Sequence, residues 1–434
     1  MTEVTRIHGY SHAGEGVGRF EDKPVFIPFA ARGEVVRFEL TGRKKNLARG
    51  RLLEVLEPSP RRVTPFCPDF TECGGCHLQH LDYQEQLNFK EERVREALRR
   101  IGRLNHVSVR PILGMAYPWH YRHTARFHIR TSPAGVEIGY YRPQSHLLVP
   151  VKSCALLPQD FPPLLQYIKA LLEKEKEVAR EISEVVLRRG LGTGELMVYF
   201  RTNGRALPPG WPAAKKLAEA FPRLVSVLAA RAGLKKAKPT VLYGRNYYYE
   251  HLAGLKFRVP GEAFFQVNPS QAGVLVEVAR RLAGSEPKYR FLDLYCGVGL
   301  FGLALAGSAS WVFGLEESRA AVEAARINAV LNGINNADFE VGRAEEVGLI
   351  LEASKIRPDI VVLDPPRSGA SPEVLAALAA CRPAKMVYIS CDPATLARDL
   401  ALLAGQGYQV VEIQPVDMFP HTYHIECAAL AERL

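Results

Sequence analysis

The first stretch of the chain alternates apolar and polar side chains with period two. Lys23-Pro-Val-Phe-Ile-Pro28, Gly33-Glu-Val-Val-Arg-Phe-Glu-Leu40 and Ala48-Arg-Gly-Arg-Leu-Leu-Glu-Val-Leu56 each read as a short strand, because successive strand side chains face opposite sides of a sheet. The hydrophilic run Thr41-Gly-Arg-Lys-Lys-Asn46 predicts a turn, and Pro58-Ser-Pro-Arg-Arg62 a linker that ends the block. Short strands at this spacing suit a small β-barrel of oligonucleotide-binding (OB-like) type over residues 1–58. Residues 59–255 mix a polar helix at about 83–100, strands such as 124–130, and charged helices near 160–182 and 212–221, which predicts a central α+β domain. From residue 256 strand and helix alternate, predicting a parallel sheet covered by helices on both faces. Its strands are expected at 290–295, 311–315, 338–341, 360–363 and 386–390, with a closing antiparallel pair at 409–414 and 425–430. The chain is therefore read as an α/β multidomain protein.

Charge sharpens this division. The net formal charge is +10, but residues 1–250 hold 40 Lys+Arg against 25 Asp+Glu, and residues 251–434 hold 16 against 21. A basic front and an acidic rear suggest that the front grips a polyanion while the rear does chemistry. No apolar run is long enough to span a bilayer, and the N-terminal residues lack the apolar core of a signal peptide. The expectation is a cytoplasmic protein with no membrane partner. There the eight cysteines read as metal ligands or a nucleophile rather than disulfides.

Asp293-Leu-Tyr-Cys-Gly297-Val-Gly299 is a glycine loop between a strand and a helix, where backbone N–H groups can face a ligand. Glu316, at the tip of the next strand, suits two ribose hydroxyls. The absence of a full Gly-x-Gly-x-x-Gly weighs against a dinucleotide and favours an adenosyl cofactor, S-adenosyl-L-methionine. Asp364-Pro365-Pro366-Arg367 ends the fourth strand beside that loop. Amino-methyltransferases carry an aromatic after a similar turn; Arg367 stands there instead, so stacking on an exocyclic amine is not expected.

Cys391 follows a strand at its carboxyl end and precedes a helix at 393–403, whose N-terminus is expected to lower its pKa. Cys381 sits in a helix, Cys296 inside the glycine loop, and Cys427 on the face opposite Glu426. Glu426 begins the last strand at the same edge as Cys391 and Asp364. A thiolate, a carboxylate base and a methyl donor are the parts needed to methylate C5 of a pyrimidine; His421 and His424 are alternative bases.

Cys67-x5-Cys73-x2-Cys76 places three soft ligands on one loop, and Cys154 is the other cysteine of the front half. By chemistry alone zinc and iron–sulfur are both open, with His77 or His80 as possible zinc ligands.

The chain resembles the RNA uracil-5-methyltransferases, in particular the iron–sulfur-containing 23S rRNA branch. The likeness is carried by Phe264-Phe-Gln-Val-Asn268, residues 293–299, 364–369 and 390–399, and Phe419-Pro-His-Thr-Tyr-His-Ile-Glu426. It implies Cys391 as nucleophile and Glu426 as base. It also implies Gln266, Tyr295, Gly297, Gly299, Leu300, Glu316 and Asp364 around S-adenosyl-L-methionine, and a Rossmann-like methyltransferase domain over 256–434. Where the family often has Asn, this chain has Arg343. The resemblance further implies a [4Fe-4S] cluster on Cys67, Cys73, Cys76 and Cys154, and an N-terminal RNA-binding domain of TRAM type. Arg43, Lys44, Lys45, Arg49 and Arg51 could form a phosphate track, and Arg122, Arg126 and Phe264 could contact RNA nearer the chemistry. The expected partner is 23S rRNA, with a tRNA uridine or a non-catalytic iron–sulfur RNA-binding protein as alternatives; no protein partner is implied.

Overall fold

The computed structural model describes residues 2–233, 238–284 and 288–434. The N-terminal six strands run in the order Thr2–Arg6, Val35–Arg43, Ala48–Glu57, Lys23–Ile27, Gly16–Phe20, Gly9–Tyr10. The Thr5 hydroxyl closes them into a barrel by donating to the Arg19 carbonyl (2.9 Å) and accepting the Arg19 N–H (3.0 Å). Val25, Ile27, Val36 and Phe38 fill the interior with essentially no exposure. The segment expected as a turn from Thr41 stays in strand to Arg43, and the turn tightens to Lys44–Leu47 through one backbone hydrogen bond of 2.9 Å. Pairing with Arg49 and Ala48 across the sheet keeps these polar residues extended.

The central sheet has seven strands, with Leu196–Thr202 and Leu224–Arg231 parallel inside an otherwise antiparallel arrangement. Helices Phe161–Lys174 and Pro212–Ala220 bury their apolar sides in one core with Phe127, Val198 and Val227. The hairpin Tyr247–Leu252 and Leu255–Pro260 packs Tyr248 and Phe257 into a second core shared with Met197 and Leu228.

The C-terminal sheet runs Ala337–Val341, Ala309–Glu316, Tyr289–Leu294, Ile360–Leu363, Lys385–Ser390, Glu426–Arg433, Tyr408–Val416, Ser108–Val109. The first five strands are parallel, and Glu426–Arg433 runs antiparallel to both its neighbours. Ile360-Val-Val-Leu363 is buried along its whole length, as a strand covered on both faces must be. One strand and one helix come from outside residues 256–434. Ser108–Val109 adds the eighth strand beside Tyr408–Val416, and helix Tyr83–Ala97 packs with Pro393–Ala404. That helix does not stay regular to Arg100: Leu98–Gly102 widens into a π turn, and Gly102 lies so close to the Ala397 carbonyl that a Cβ would come within 2.9 Å of it.

A buried ion pair fixes this helix to the loop before the last strand. Lys90 and Asp417 are both fully buried, and Lys90 Nζ donates to Asp417 Oδ1 (2.6 Å) and to the Phe419 carbonyl (3.0 Å). Tyr83 OH donates to Asp417 Oδ2 (2.8 Å) and accepts the Met115 N–H (2.8 Å). Among the described residues no helix is long and apolar enough to cross a membrane. Lys90→Met leaves a buried carboxylate without its cation, which costs about 3–5 kcal/mol, and should lower the urea midpoint accordingly. A loss of less than about 1 kcal/mol, as for a surface pair, would show that the pair does not anchor the loop.

Candidate active site

Three adjacent strands end at one edge and bring the chemistry together. Strands Lys385–Ser390 and Glu426–Arg433 pair antiparallel with Ser390 opposite Cys427. One step further in that register places Cys391 opposite Glu426, and directly opposed residues of an antiparallel pair project to the same face. Asp364 follows Leu363, whose strand neighbours Lys385–Ser390 on one side and Tyr289–Leu294 on the other. Cys391, Glu426, Asp364 and the glycine loop thus share one sheet edge.

The turn carrying Cys391 is pinned from both sides. The Ser390 hydroxyl donates to the Asp392 carbonyl (3.1 Å) and accepts the Asp392 N–H (3.2 Å). Asp392 then caps helix Pro393–Ala404, its Oδ1 accepting from Ala394 N (2.9 Å) and Thr395 N (3.0 Å). This corrects the expected acidic thiol. The helix N–H groups are taken by a carboxylate, and burial, then Glu426, push the Cys391 thiol up to about 11, with Arg367 pulling the other way. Glu426, 5% exposed, is raised well above the usual carboxylate range by burial and by the Asp364 charge. Burial pushes Asp364 up to about 7.

The loop after Asp364 is held by Asp399, which is fully buried. Its Oδ2 accepts Tyr388 OH (2.5 Å) and Ala370 N (3.0 Å), and Arg398 bridges from Asp399 Oδ1 (2.7 Å) to the Ser368 carbonyl (2.8 Å). Gly369 has φ +78, and a Cβ there would reach within 2.4 Å of Asp399 Oδ2. This brace orders the loop that follows Arg367; Asp399 ends the 390–399 stretch of the family likeness, whereas Tyr388 carries no sequence signal beyond being polar in an apolar run.

His421 and His424 are poor bases in this setting. The His421 ring stacks on Trp119 (3.9 Å), with Nε2 3.1 Å from the Pro118 carbonyl and Nδ1 3.3 Å from Gln86 Nε2. Burial holds it down at about 3. His424 Nδ1 lies 3.5 Å from Arg367, and burial plus that cation hold it down at about 3 as well. The other cysteines lie away from the chemistry. Cys427 is buried on the opposite face, Cys296 is buried in the core, and Cys381 caps helix Pro372–Ala380.

In the glycine loop Tyr295 (φ +65), Gly297 (φ +54) and Gly299 (φ +87) turn the chain from strand to helix Leu300–Leu305. Leu300 is buried at the helix start. Glu316 accepts from Gly297 N (3.2 Å) and Ser318 N (2.9 Å), which aims its carboxylate at the loop. Two observations fit a nucleoside ligand here. A Cβ on Gly297 would meet nothing within 4 Å, so the loop faces open space. Asp293 Oδ2 accepts Gly302 N (2.7 Å), while its buried Oδ1 has no protein partner. Burial pushes Asp293 up to about 7. Gln266 is buried in the loop before helix Pro269–Ala283, and Phe264 beside it is 68% exposed. Arg343 turns outward, its Nε 3.3 Å from Glu345.

Cys67, Cys73, Cys76 and Cys154 line one cavity of about 680 Å³, together with Arg122, Arg126, Arg367 and His424. The cysteine loop is fixed by Gly74 N to the Tyr141 carbonyl (2.9 Å) and by His77 N and Leu78 N to the His421 carbonyl (2.8 and 3.0 Å). Among the described residues no three His, Cys, Asp or Glu side chains converge on a point fit for a single ion. His80 is buried against Phe29 and Phe70 and does not line this cavity, whereas His77 does. On the barrel, Arg43, Arg49 and Arg51 are each paired with a glutamate, so the expected phosphate track is partly neutralised within the chain. Arg126 lies 3.8 Å from Glu184 and is exposed, while Arg122 Nε donates to the Thr124 carbonyl (3.3 Å).

Comparison with known proteins identifies the family and its N-terminal domain. Residues 82–434 match the model of the tRNA (Uracil-5-)-methyltransferase family, and residues 3–53 match the TRAM domain. A protein of Bacillus cereus named as an RNA methyltransferase is 38% identical, covering 98% of this chain and 95% of its own length. A second, from Halalkalibacterium halodurans, is 37% identical over 100% and 97%. A crystal structure of Pyrococcus abyssi tRNA (uracil-54, C5)-methyltransferase in complex with S-adenosyl-L-homocysteine superposes with a TM-score of 0.78 at 29% identity, covering 99% of both chains. The chain belongs to the tRNA (uracil-5-)-methyltransferase family, and it is a methyltransferase with a TRAM domain at its front.

Proposed function

We propose that the chain methylates C5 of a uridine in a structured RNA, with S-adenosyl-L-methionine as donor, through a covalent bond between Cys391 and C6. The observation that supports this is the antiparallel pairing of the strand that ends at Ser390 with the strand that begins at Glu426, which leaves Cys391 and Glu426 at one sheet edge, where Glu426 acts on the thiol. When bound along Asp293, Glu316 and Gln266, the donor supplies an electrophilic methyl group.

The chain's own residues account for the rest. Cys391, as thiolate, attacks C6; the C5–C6 π electrons move onto the C4 carbonyl as an enolate, which makes C5 nucleophilic. After C5 is alkylated, Glu426 takes the C5 proton, the C5–C6 double bond re-forms and the Cys391–C6 bond breaks, returning the thiolate. A carboxylate in a desolvated site holds a proton tightly, which suits removal of one from carbon. Arg367 is the cation that favours the thiolate. A base inside a duplex cannot reach this edge, so the target uridine is flipped out of a loop.

Cys67, Cys73, Cys76 and Cys154 hold a [4Fe-4S] cluster in this reading. Four cysteines lining one cavity are the thiol count that such a cluster takes. The cluster would brace the wall carrying Arg122 and Arg126, and no proton or methyl step passes through it. The substrate is read as 23S rRNA. A tRNA loop uridine is the second reading, and it is favoured by the name of the Pyrococcus abyssi relative.

Incubation with labelled donor and undermethylated 23S rRNA or tRNA, followed by mapping, decides the substrate; no transfer to either would overturn the proposal. Cys391→Ala should abolish transfer, and Glu426→Gln should accumulate a protein–RNA adduct that survives a denaturing gel. In the free enzyme, a thiol at about 11 is protonated at neutral pH. Alkylation of Cys391 by iodoacetamide should therefore accelerate about tenfold per unit from pH 7 to 10, read by peptide mass spectrometry, and a plateau below pH 8 would contradict it. Protein purified without oxygen should be brown and release acid-labile sulfide, and Cys154→Ala should lower its iron content.

A further inference from the structure

The outer face of the hairpin Tyr247–Leu252 and Leu255–Pro260 carries a feature that the methyl-transfer chemistry does not use. Tyr247 and Tyr249 lie on one strand face, with ring centroids 5.3 Å apart. Cations sit over both rings and between them. Lys256 Nζ is 4.2 Å from the Tyr249 centroid, and the Arg245 guanidinium is 4.8 Å from Tyr249 and 4.6 Å from Tyr247. The Arg258 guanidinium is 4.1 Å from Tyr247. The order along the ridge is Lys256, Tyr249, Arg245, Tyr247, Arg258.

The alternation follows from register. Tyr249 faces Arg258 and His251 faces Lys256 across the pair, so odd positions of the first strand and even positions of the second point away from the core that holds Tyr248 and Phe257. Cations over ring faces lose rotamer freedom while keeping their charge. The middle guanidinium is already balanced by Glu195, whose Oε2 also accepts the Tyr249 N–H (2.7 Å). Lys256 and Arg258 have no carboxylate within 4.0 Å among the described residues. The Arg258 Nε is buried without a hydrogen-bond partner.

We infer that this ridge is a docking site for the phosphate backbone of the RNA substrate, with Lys256 and Arg258 each meeting a phosphate and the two tyrosines holding them in place. This inference rests on the RNA reading given under Proposed function. Placement favours RNA over a fortuitous cluster. Strand Leu255–Pro260 leads directly into the loop carrying exposed Phe264 and buried Gln266. Phe264 follows Arg258 by six positions, a span of at most about 22 Å, so a strand entering the active site can lie along the hairpin. Arg188 Nη1 donates to the carbonyls of Pro260 (3.3 Å) and Ala263 (2.9 Å), which fixes ridge and loop relative to each other.

The test is fluorescence anisotropy of full-length protein with labelled 23S rRNA and tRNA fragments at several salt concentrations. Each phosphate contact to a single strand adds about 0.7 to the slope of log affinity against log salt. Lys256→Gln/Arg258→Gln should therefore lower the slope by about 1.4 and weaken binding roughly tenfold or more, with an unchanged thermal midpoint. Tyr247→Phe/Tyr249→Phe should bind like the parent, whereas Tyr247→Leu/Tyr249→Leu should weaken binding. Unchanged slope and affinity in the glutamine variant would overturn the inference. If the parent methylates RNA and the slope does not move, only the ridge reading falls. If the slope moves but no RNA is methylated, the methyl-transfer reading falls instead.

Discussion

The buried contact between Lys90 and Asp417 governs the geometry of the catalytic edge. Two opposite charges removed from water are tolerable only when every remaining lone pair and proton finds a partner. Here Asp417 accepts from Lys90, Tyr83 and the Phe419 N–H, and Lys90 also reaches the Phe419 carbonyl. Helix Tyr83–Ala97 is thereby tied to the loop that ends in Glu426. The same loop holds His421 in a left-handed conformation (φ +66) and uses its carbonyl to receive His77 N and Leu78 N from the cysteine loop. Cysteine loop, helix and the loop before Glu426 are fixed by one small set of polar contacts.

The candidate site gathers acidic groups whose charged forms burial disfavours. Asp293, Asp364 and Glu426 are all raised by burial, and Asp364 and Glu426 feel each other. Cys391 is disfavoured as a thiolate by the same neighbours, with Arg367 opposing them. Such a site stores reactivity: each group holds its proton until a substrate changes the local charge and solvation. In the proposed reaction a sulfonium and a pyrimidine that can become an enolate would bring positive charge and a place for electron density to that environment. The Asp399 brace matters here because it orders the loop that follows Arg367.

The cavity lined by the four cysteines also contains Arg367 and His424. The front of the molecule and the catalytic edge therefore share a wall. On the barrel, arginine charge is spent partly on neighbouring glutamates, each surface pair being worth at most about 1 kcal/mol and readily exchanged for a phosphate. The hairpin ridge differs in that its two outer cations sit over tyrosine rings, with no carboxylate within 4.0 Å among the described residues.

Local pattern determined much of this protein. Alternation at residues 23–56, the unbroken apolar run Ile360–Leu363 and the glycine loop are short-range features, so the strands and the turn could be placed from the sequence with small errors at their ends. Cys391 and Glu426 could be singled out because each stands at a strand boundary. Tertiary structure decided the rest. Nothing local says that helix Tyr83–Ala97 and Ser108–Val109 pack on a sheet formed more than 170 residues later, or that Lys90 would find Asp417. The thiol's pKa also depended on distant residues: the sequence offered a helix N-terminus, whereas burial and facing carboxylates, set by strand order, push the thiol upward. The Tyr–cation ridge exists only through cross-strand register, which brings Lys256 and Arg258 over rings from the other strand.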